Sequence, residues 1–328
     1  MRAIFITEFG SIDGISLAEV DAPRLQGGDD VLVRVYAAGL NRADLLQVRG
    51  AYPPPAGYSP NIPGLEFAGE IVEVGENVTD WKVGTRVFGI TAGEAQAEYV
   101  LTTSQMIAEI PDHLSYVEAA CVPEAFITAS DALLTLGELG THAKVLIHAV
   151  GSGVGIAALQ IAKSRDAFVI GTSRTASKLE RCASLGLDCG IVVDGDIDFA
   201  SQVLDATEGR GVDVVVELVG GGYVPEDLKC VAGKGHIVLV GLTGGRKAEI
   251  DLGLVLQKRA RIIGTVLRSR PAEEKISATR LFANEILPLF SDGIKPELDR
   301  VFVAAEARDA YTYLASNESF GKVVLEFS

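Results

Sequence analysis

The chain has 328 residues, 36 of them glycine, few aromatic residues and a net charge of −15. That length gives one large or two moderate domains, and a glycine share above the usual ~7% fits a turn-rich α/β chain. The acidic balance excludes nucleic acid as the main partner, because binding a phosphate backbone needs a basic surface, although a local basic pocket can still hold an anionic cofactor.

The N-terminus reaches a carboxylate at Glu8 without a signal-peptide apolar run, so a cytoplasmic protein is the expectation. The first ~120 residues read as a compact, mostly antiparallel β domain. Val31–Ala37 alternates, and Phe67–Val74 and Arg86–Ile90 are short β-runs between glycines. From about Pro123 the texture changes to helices alternating with continuous apolar strands. These strands are Val145–Ala149, Phe168–Gly171, Val212–Leu218, His236–Val240 and Arg261–Thr265. Repeated βα units with such strands predict a parallel sheet covered on both faces. A helix near Glu273–Leu289 and a last strand over Gly321–Phe327 follow. With no linker in between, the last ~60 residues are expected to return to the N-terminal domain. The four cysteines, Cys121, Cys182, Cys189 and Cys230, show no CxxC or zinc-knuckle spacing and read as small apolar fillers. Cys182 is expected on a helix and Cys189 on the turn after it.

The stretch Val145–Lys163, VLIHAVGSGVGIAALQIAK, reads as buried strand, glycine turn and helix. That arrangement lets backbone N–H groups at a helix N-terminus hold a dinucleotide pyrophosphate. Its spacing is not GxGxxG. With Ala149, Ser152 and Gly155 as the three special positions it is AxxSxxG, which still supplies small residues for close phosphate approach and for packing the helix on the strand. Val145–Ala162 carries no formal charge, so a membrane helix is a competing reading, opposed by His148 and the glycine-serine turn. Sites selective for NAD place an acid at the end of the second strand. Here Phe168–Thr172 is followed by Ser173, Arg174 and Lys178, a hydroxyl and two cations suited to a 2′-phosphate, which favours NADPH. Glycine-ended strands recur at Gly220–Gly222 and at Gly241 with Gly244–Gly245, where open α/β folds bind ligands.

In the first domain, Asn41 and Asp44 have the spacing of a helix N-cap and its third residue, which a purely structural cap would explain. They sit in Leu40–Pro55, LNRADLLQVRGAYPPP. Together with PGLEFAG over residues 63–69, HAVGSGVG over 148–155 and LRSR over 267–270, this segment resembles the zinc-free quinone oxidoreductases of the medium-chain dehydrogenase/reductase superfamily. The resemblance spans essentially the whole chain. It implies a GroES-like catalytic domain from residues 1–122 and 266–328 around a Rossmann NADP(H)-binding domain at 123–265. It also implies hydride transfer from NADPH to a quinone or other conjugated carbonyl, in a homodimer paired through the strand near Arg261–Val266. Zinc-dependent relatives carry Cys near Asn41 and a Gly-His-Glu motif where this chain has Gly64-Leu65-Glu66, so no metal is expected.

By the same resemblance Asn41 and Tyr52 are the catalytic candidates, lining the nicotinamide and substrate cleft, with Thr128 near the cofactor. Ser152, Gly153, Val154 and Gly155 would hold the pyrophosphate, and Ser173, Arg174 and Lys178 the 2′-phosphate. Leu242, Leu267 and Arg268 would fall on loops beside the cofactor. One departure is Val193, which occupies the position of a Tyr that packs near the adenine phosphate in many relatives. An enoyl or alkenal reductase and a non-catalytic, crystallin-like NADPH-binding protein are the competing functions.

Overall fold

The computed structural model describes residues 1–195 and 197–327. They form two compact units, Met1–Ile127 with Leu267–Ser328, and Thr128–Val266. The first boundary therefore falls inside the helix Pro123–Ser130, five residues after the one read from the change of texture.

The first unit is built on a seven-stranded sheet. Its order is Leu298–Val303, Lys322–Glu326, Asp30–Gly39, Glu66–Val74, Arg86–Ile90 and Ile107–Glu109, with Tyr99–Thr103 also paired to Asp30–Gly39. All pairs are antiparallel except Leu298–Val303 with Lys322–Glu326. The alternation read in Val31–Ala37 is real: Val31, Val33 and Val35 point into the core, with Phe67, Ile71, Val87 and Val100. The C-terminal strand enters this sheet beside Asp30–Gly39, and Tyr311 of the helix Ala307–Ser316 is wholly buried in the same core. The expected helix over Glu273–Leu289 begins as Ala272–Leu281, then widens to π geometry over Phe282–Ile286 and tightens to 3₁₀ at Leu287–Ser291. Pro288 stands in that last turn, where it has no N–H to continue the ladder.

The second unit is a six-stranded parallel sheet. Its order is Cys189–Val192, Phe168–Ser173, Lys144–Ile147, Val212–Glu217, Val231–Leu239 and Arg261–Gly264. In sequence terms that is 3-2-1-4-5-6, the doubly wound order, whose switch point lies between Lys144–Ile147 and Val212–Glu217. Cys189 starts a strand rather than a turn, correcting the sequence reading. The strand has only four residues and carries Gly190, which weakens its sequence signal. Val145–Lys163 is strand, turn and helix, so the membrane-helix reading of that stretch is overturned. Among the described residues one helical run, Tyr116–Leu136, is long and apolar enough to cross a membrane, but 72% of its most apolar window is buried inside the protein, as in a core helix.

Candidate active site

In the first unit the site is organised by Asn41, which stands in extended backbone just before the helix Arg42–Val48. The carboxylate of Asp44 accepts the Asn41 backbone N–H at 2.8 Å, so the cap expected from the spacing is present. Asp44 is wholly buried and also accepts from the Gly64 N–H at 3.2 Å and Gln96 Nε2 at 3.3 Å. Burial raises its pKa to about 6, against the lowering effect of the Asn41 N–H, Arg268 and Lys322.

The side chain of Asn41 is fixed at both ends. Its Nδ2 donates to Glu66 Oε1 at 2.8 Å, and its Oδ1 accepts from Lys322 Nζ at 2.7 Å. Lys322 also donates to Glu66 Oε1 and to the Leu40 carbonyl, and Glu66 Oε2 accepts the Glu124 N–H at 2.9 Å. A Cβ on Gly39 would lie 2.4 Å from Glu66 Oε1, so a glycine leaves the space this carboxylate fills. An amide has two N–H groups, so one donor of Asn41 remains beyond the bond to Glu66.

Tyr52 is half-buried, and Arg268 holds its loop. The guanidinium lies 5.1 Å from the Tyr52 ring centroid and donates to the Tyr52 carbonyl at 2.9 Å, the Ala92 carbonyl at 2.8 Å and Gln47 Oε1. Gln47 in turn donates to the Pro60 carbonyl. The family resemblance puts Arg268 beside the cofactor, yet it is only 4% exposed and brackets Tyr52 within its own unit; Leu267 beside it is buried too. Burial raises the Tyr52 phenol above its ordinary value, with Arg268 opposing and Glu124 adding to the rise. Glu124 is pushed up to about 8 by burial and by the neighbouring Glu66.

The second unit carries the nucleotide candidates. Ser152 caps the helix Gly153–Lys163, its Oγ accepting the Gly155 N–H at 3.1 Å. The earlier N–H groups of a helix, here those of Gly153 and Val154, have no intrahelical acceptor, and no acid stands in this first turn. A Cβ on Gly155 would lie 2.6 Å from the Ala149 carbonyl oxygen and 2.7 Å from Val150 Cα, so only glycine lets the helix pack this close to the strand end. Ala149 takes φ +45°, a left-handed conformation at the first special position. Ser173 ends its strand and accepts the Thr175 N–H, Arg174 is exposed, and Lys178 is half-buried. Thr128 is half-buried, and Leu242 is 49% exposed after Val231–Leu239. Val193 is buried in the unit's core rather than facing outward. Small residues and an open helix N-terminus at this sheet edge fit the pyrophosphate of a nicotinamide dinucleotide.

Several partners escaped the sequence reading. Lys322 stands 281 residues from Asn41, so no local spacing could show their bond. His148 and Glu217 did leave a signal, as polar interruptions in the apolar runs VLIHAV and VVVELV.

Two family profiles match the chain: an alcohol dehydrogenase GroES-like domain over residues 27–131 and a zinc-binding dehydrogenase over 153–284. A phenolphthiocerol/phthiocerol polyketide synthase of Mycobacterium tuberculosis is 33% identical over 322 residues, covering 98% of this chain, which spans only 14% of that synthase. The synaptic vesicle membrane protein VAT-1 homolog of Danio rerio is 30% identical over 346 residues, covering 99% of this chain and 69% of the relative. Among solved structures, a quinone oxidoreductase of Pseudomonas syringae pv. Tomato matches with TM-score 0.88 and 27% identity over 99% of each chain. The CurK enoyl reductase matches with TM-score 0.87 and 28% identity over 100% of this chain and 99% of its own. A zinc ion does not fit at the Asn41 position. An amide bound to Glu66 and Lys322 stands there, and Leu65, buried and apolar, fills the histidine position.

Proposed function

The chain belongs to the medium-chain dehydrogenase/reductase superfamily, and from that premise we propose that it is an NADPH-dependent quinone oxidoreductase working without a metal. The observation that supports the reading is the Asn41–Glu66–Lys322 network, which fixes an amide at the position where the family resemblance puts a zinc ligand in zinc-dependent relatives. The elements LNRADL, YPP, SGVG and LRSR resemble those of the tumour-suppressor-inducible quinone oxidoreductase.

Bound NADPH supplies the hydride. Ser152–Gly155 would hold its pyrophosphate on backbone N–H groups, with Ser173, Arg174 and Lys178 at the 2′-phosphate. A quinone accepts hydride readily, so the protein needs only to orient it and stabilise the oxyanion that develops. Asn41 contributes its remaining N–H, already aimed because Glu66 and Lys322 fix both ends of the amide. Tyr52 contributes a phenol O–H, and Arg268 keeps its loop from moving. Because burial raises the phenol pKa, Tyr52 acts as a hydrogen-bond donor that passes on a solvent proton rather than as a strong acid.

Similarity to an enoyl reductase and to a polyketide synthase favours one second reading, NADPH-dependent reduction of a conjugated C=C bond. NADPH oxidation measured with a small quinone and with a 2-enoyl thioester separates the two: turnover confined to the quinone is expected, and turnover confined to the thioester overturns the reading. Tight NADPH binding with neither acceptor turned over would indicate a non-catalytic binding protein. The strand Arg261–Gly264 ends its sheet, with Leu252 and Leu256 of the preceding helix exposed, which supports a homodimer that light scattering would detect.

A further inference from the structure

The second unit buries a polar group that the proposed chemistry does not use. His148 follows the strand Lys144–Ile147, Thr172 lies near the end of Phe168–Ser173, Glu217 ends Val212–Glu217, and Asp227 is on the helix Tyr223–Cys230. His148, Glu217 and Asp227 are wholly buried, and their donor atoms lie within 4.8 Å of one another. The rings of Phe199 and Tyr223 pack on the imidazole, each with its centroid 4.8 Å away.

With His148 neutral and protonated on Nε2, one consistent set of hydrogen bonds results. The Thr172 hydroxyl donates to His148 Nδ1 at 2.8 Å, and His148 Nε2–H donates to Asp227 Oδ1 at 2.8 Å. Glu217 Oε1 accepts the N–H groups of Val219 and Gly220. Two buried oxygens of this group are left over, Asp227 Oδ2 and Glu217 Oε2, and an oxygen of each carboxyl lies within 4.8 Å of one on the other. Two carboxylates facing each other cannot both stay ionised beside a neutral imidazole in a dry interior, but one proton between those two oxygens satisfies both.

We propose that Glu217 and Asp227 share one proton, and that the resulting chain Thr172–His148–Asp227–Glu217 is a positioning device that holds the loops of the dinucleotide cradle in register. His148 immediately precedes the Ala149–Gly155 turn, Thr172 precedes Ser173 and Arg174, and Glu217 holds the Val219–Gly220 backbone, where Gly220 and Gly221 take positive φ. One chain of hydrogen bonds thus ties three strand ends at the sheet edge. The inference rests on the reading that this edge binds a dinucleotide.

Burial raises Glu217 to about 7 and Asp227 well above the ordinary range, while it lowers His148. The other titratable groups facing the chain are Tyr223, Glu226 and Cys230 of the same helix, and exposed Arg174, of the loop after Phe168–Ser173, acts on Tyr223. The folded pKa of Glu217 is raised, so its contribution to stability is complete below the ordinary carboxylate value and is lost as pH rises through about 7.

The test uses Glu217→Gln, whose amide accepts from Val219 and Gly220 and donates to Asp227 permanently, alongside Glu217→Ala and Asp227→Asn. From about pH 6 to about pH 9 the wild-type protein should lose about tenfold in NADPH affinity, Glu217→Gln and Asp227→Asn less than about twofold, and Glu217→Ala should bind weakly throughout. Thermal unfolding without NADPH should show a fall in Tm above about pH 7 in the wild type that Glu217→Gln lacks. A Glu217→Gln protein that follows the wild-type Tm profile, or one equivalent of zinc or manganese per purified chain lost in Asp227→Asn, overturns the shared proton. A wild type that binds no dinucleotide while its Tm profile behaves as described refutes the proposed function and leaves the proton chain standing without its role in the cradle.

Discussion

In the first unit the buried Glu66 meets a cation, with Lys322 Nζ 2.5 Å away. In the second unit Glu217 and Asp227 meet a neutral imidazole and backbone N–H groups, with no lysine or arginine bonded to either among the described residues. Both arrangements solve the problem of removing charge from water, by ion pairing in one case and by retaining a proton in the other. The difference matters because Asn41 is held by hydrogen bonds to an ion pair, whereas a shared proton leaves the cradle loops sensitive to pH.

The comparison breaks most directly at Lys322. Lys322→Ala leaves Glu66 buried without its cation and should destabilise the protein by about 3–5 kcal/mol in denaturant unfolding, and Lys322→Ala with Glu66→Gln should recover much of that loss. Next in size is Gly155→Val, whose Cβ meets the Ala149 and Val150 backbone. It should weaken NADPH binding by about a hundredfold or more, read by calorimetry, with the fold retained in circular dichroism. Tyr52→Phe comes third: removing a hydrogen bond to a developing charge should lower kcat/KM for a quinone by about tenfold to a hundredfold and leave NADPH affinity unchanged. Unchanged turnover would remove Tyr52 from the mechanism. Smallest is Arg174→Ala, which should cost about tenfold in NADPH affinity and leave NADH affinity alone; an equal loss for both would assign Arg174 no part in the 2′-phosphate.

Asp44 sharpens the pH side of the comparison. Its folded pKa is raised, so its contribution to stability is present below its ordinary 3.8 and falls away as pH rises through about 6. Asp44→Asn should therefore flatten the slope of Tm against pH between about 4 and 7, a lower window than the one removed by Glu217→Gln.

The parallel sheet was legible because its strands are continuous apolar runs, and the strand–turn–helix over 145–163 because its helix must start on small residues. Val145, Leu146 and Ile147 are wholly buried, and Gly155 tolerates no Cβ. The strand Cys189–Val192 was not legible, since four residues including a glycine carry little pattern. Asp44 was visible as a cap, yet its bonds to Gly64 and Gln96 depend on loops brought together only by the sheet. Arg268 illustrates the same limit. Its motif marked it as special, but its three partners lie 176 to 221 residues away, and only tertiary packing turns a cofactor-side expectation into a brace for Tyr52.

The central claim is metal-free hydride transfer from NADPH to a quinone, and the most direct measurement is NADPH oxidation by the purified protein with a small quinone, before and after treatment with a strong zinc chelator. Turnover that the chelator leaves unchanged is expected. Turnover abolished by chelation and restored by zinc, or NADPH consumed with a 2-enoyl thioester but not with any quinone, would contradict it.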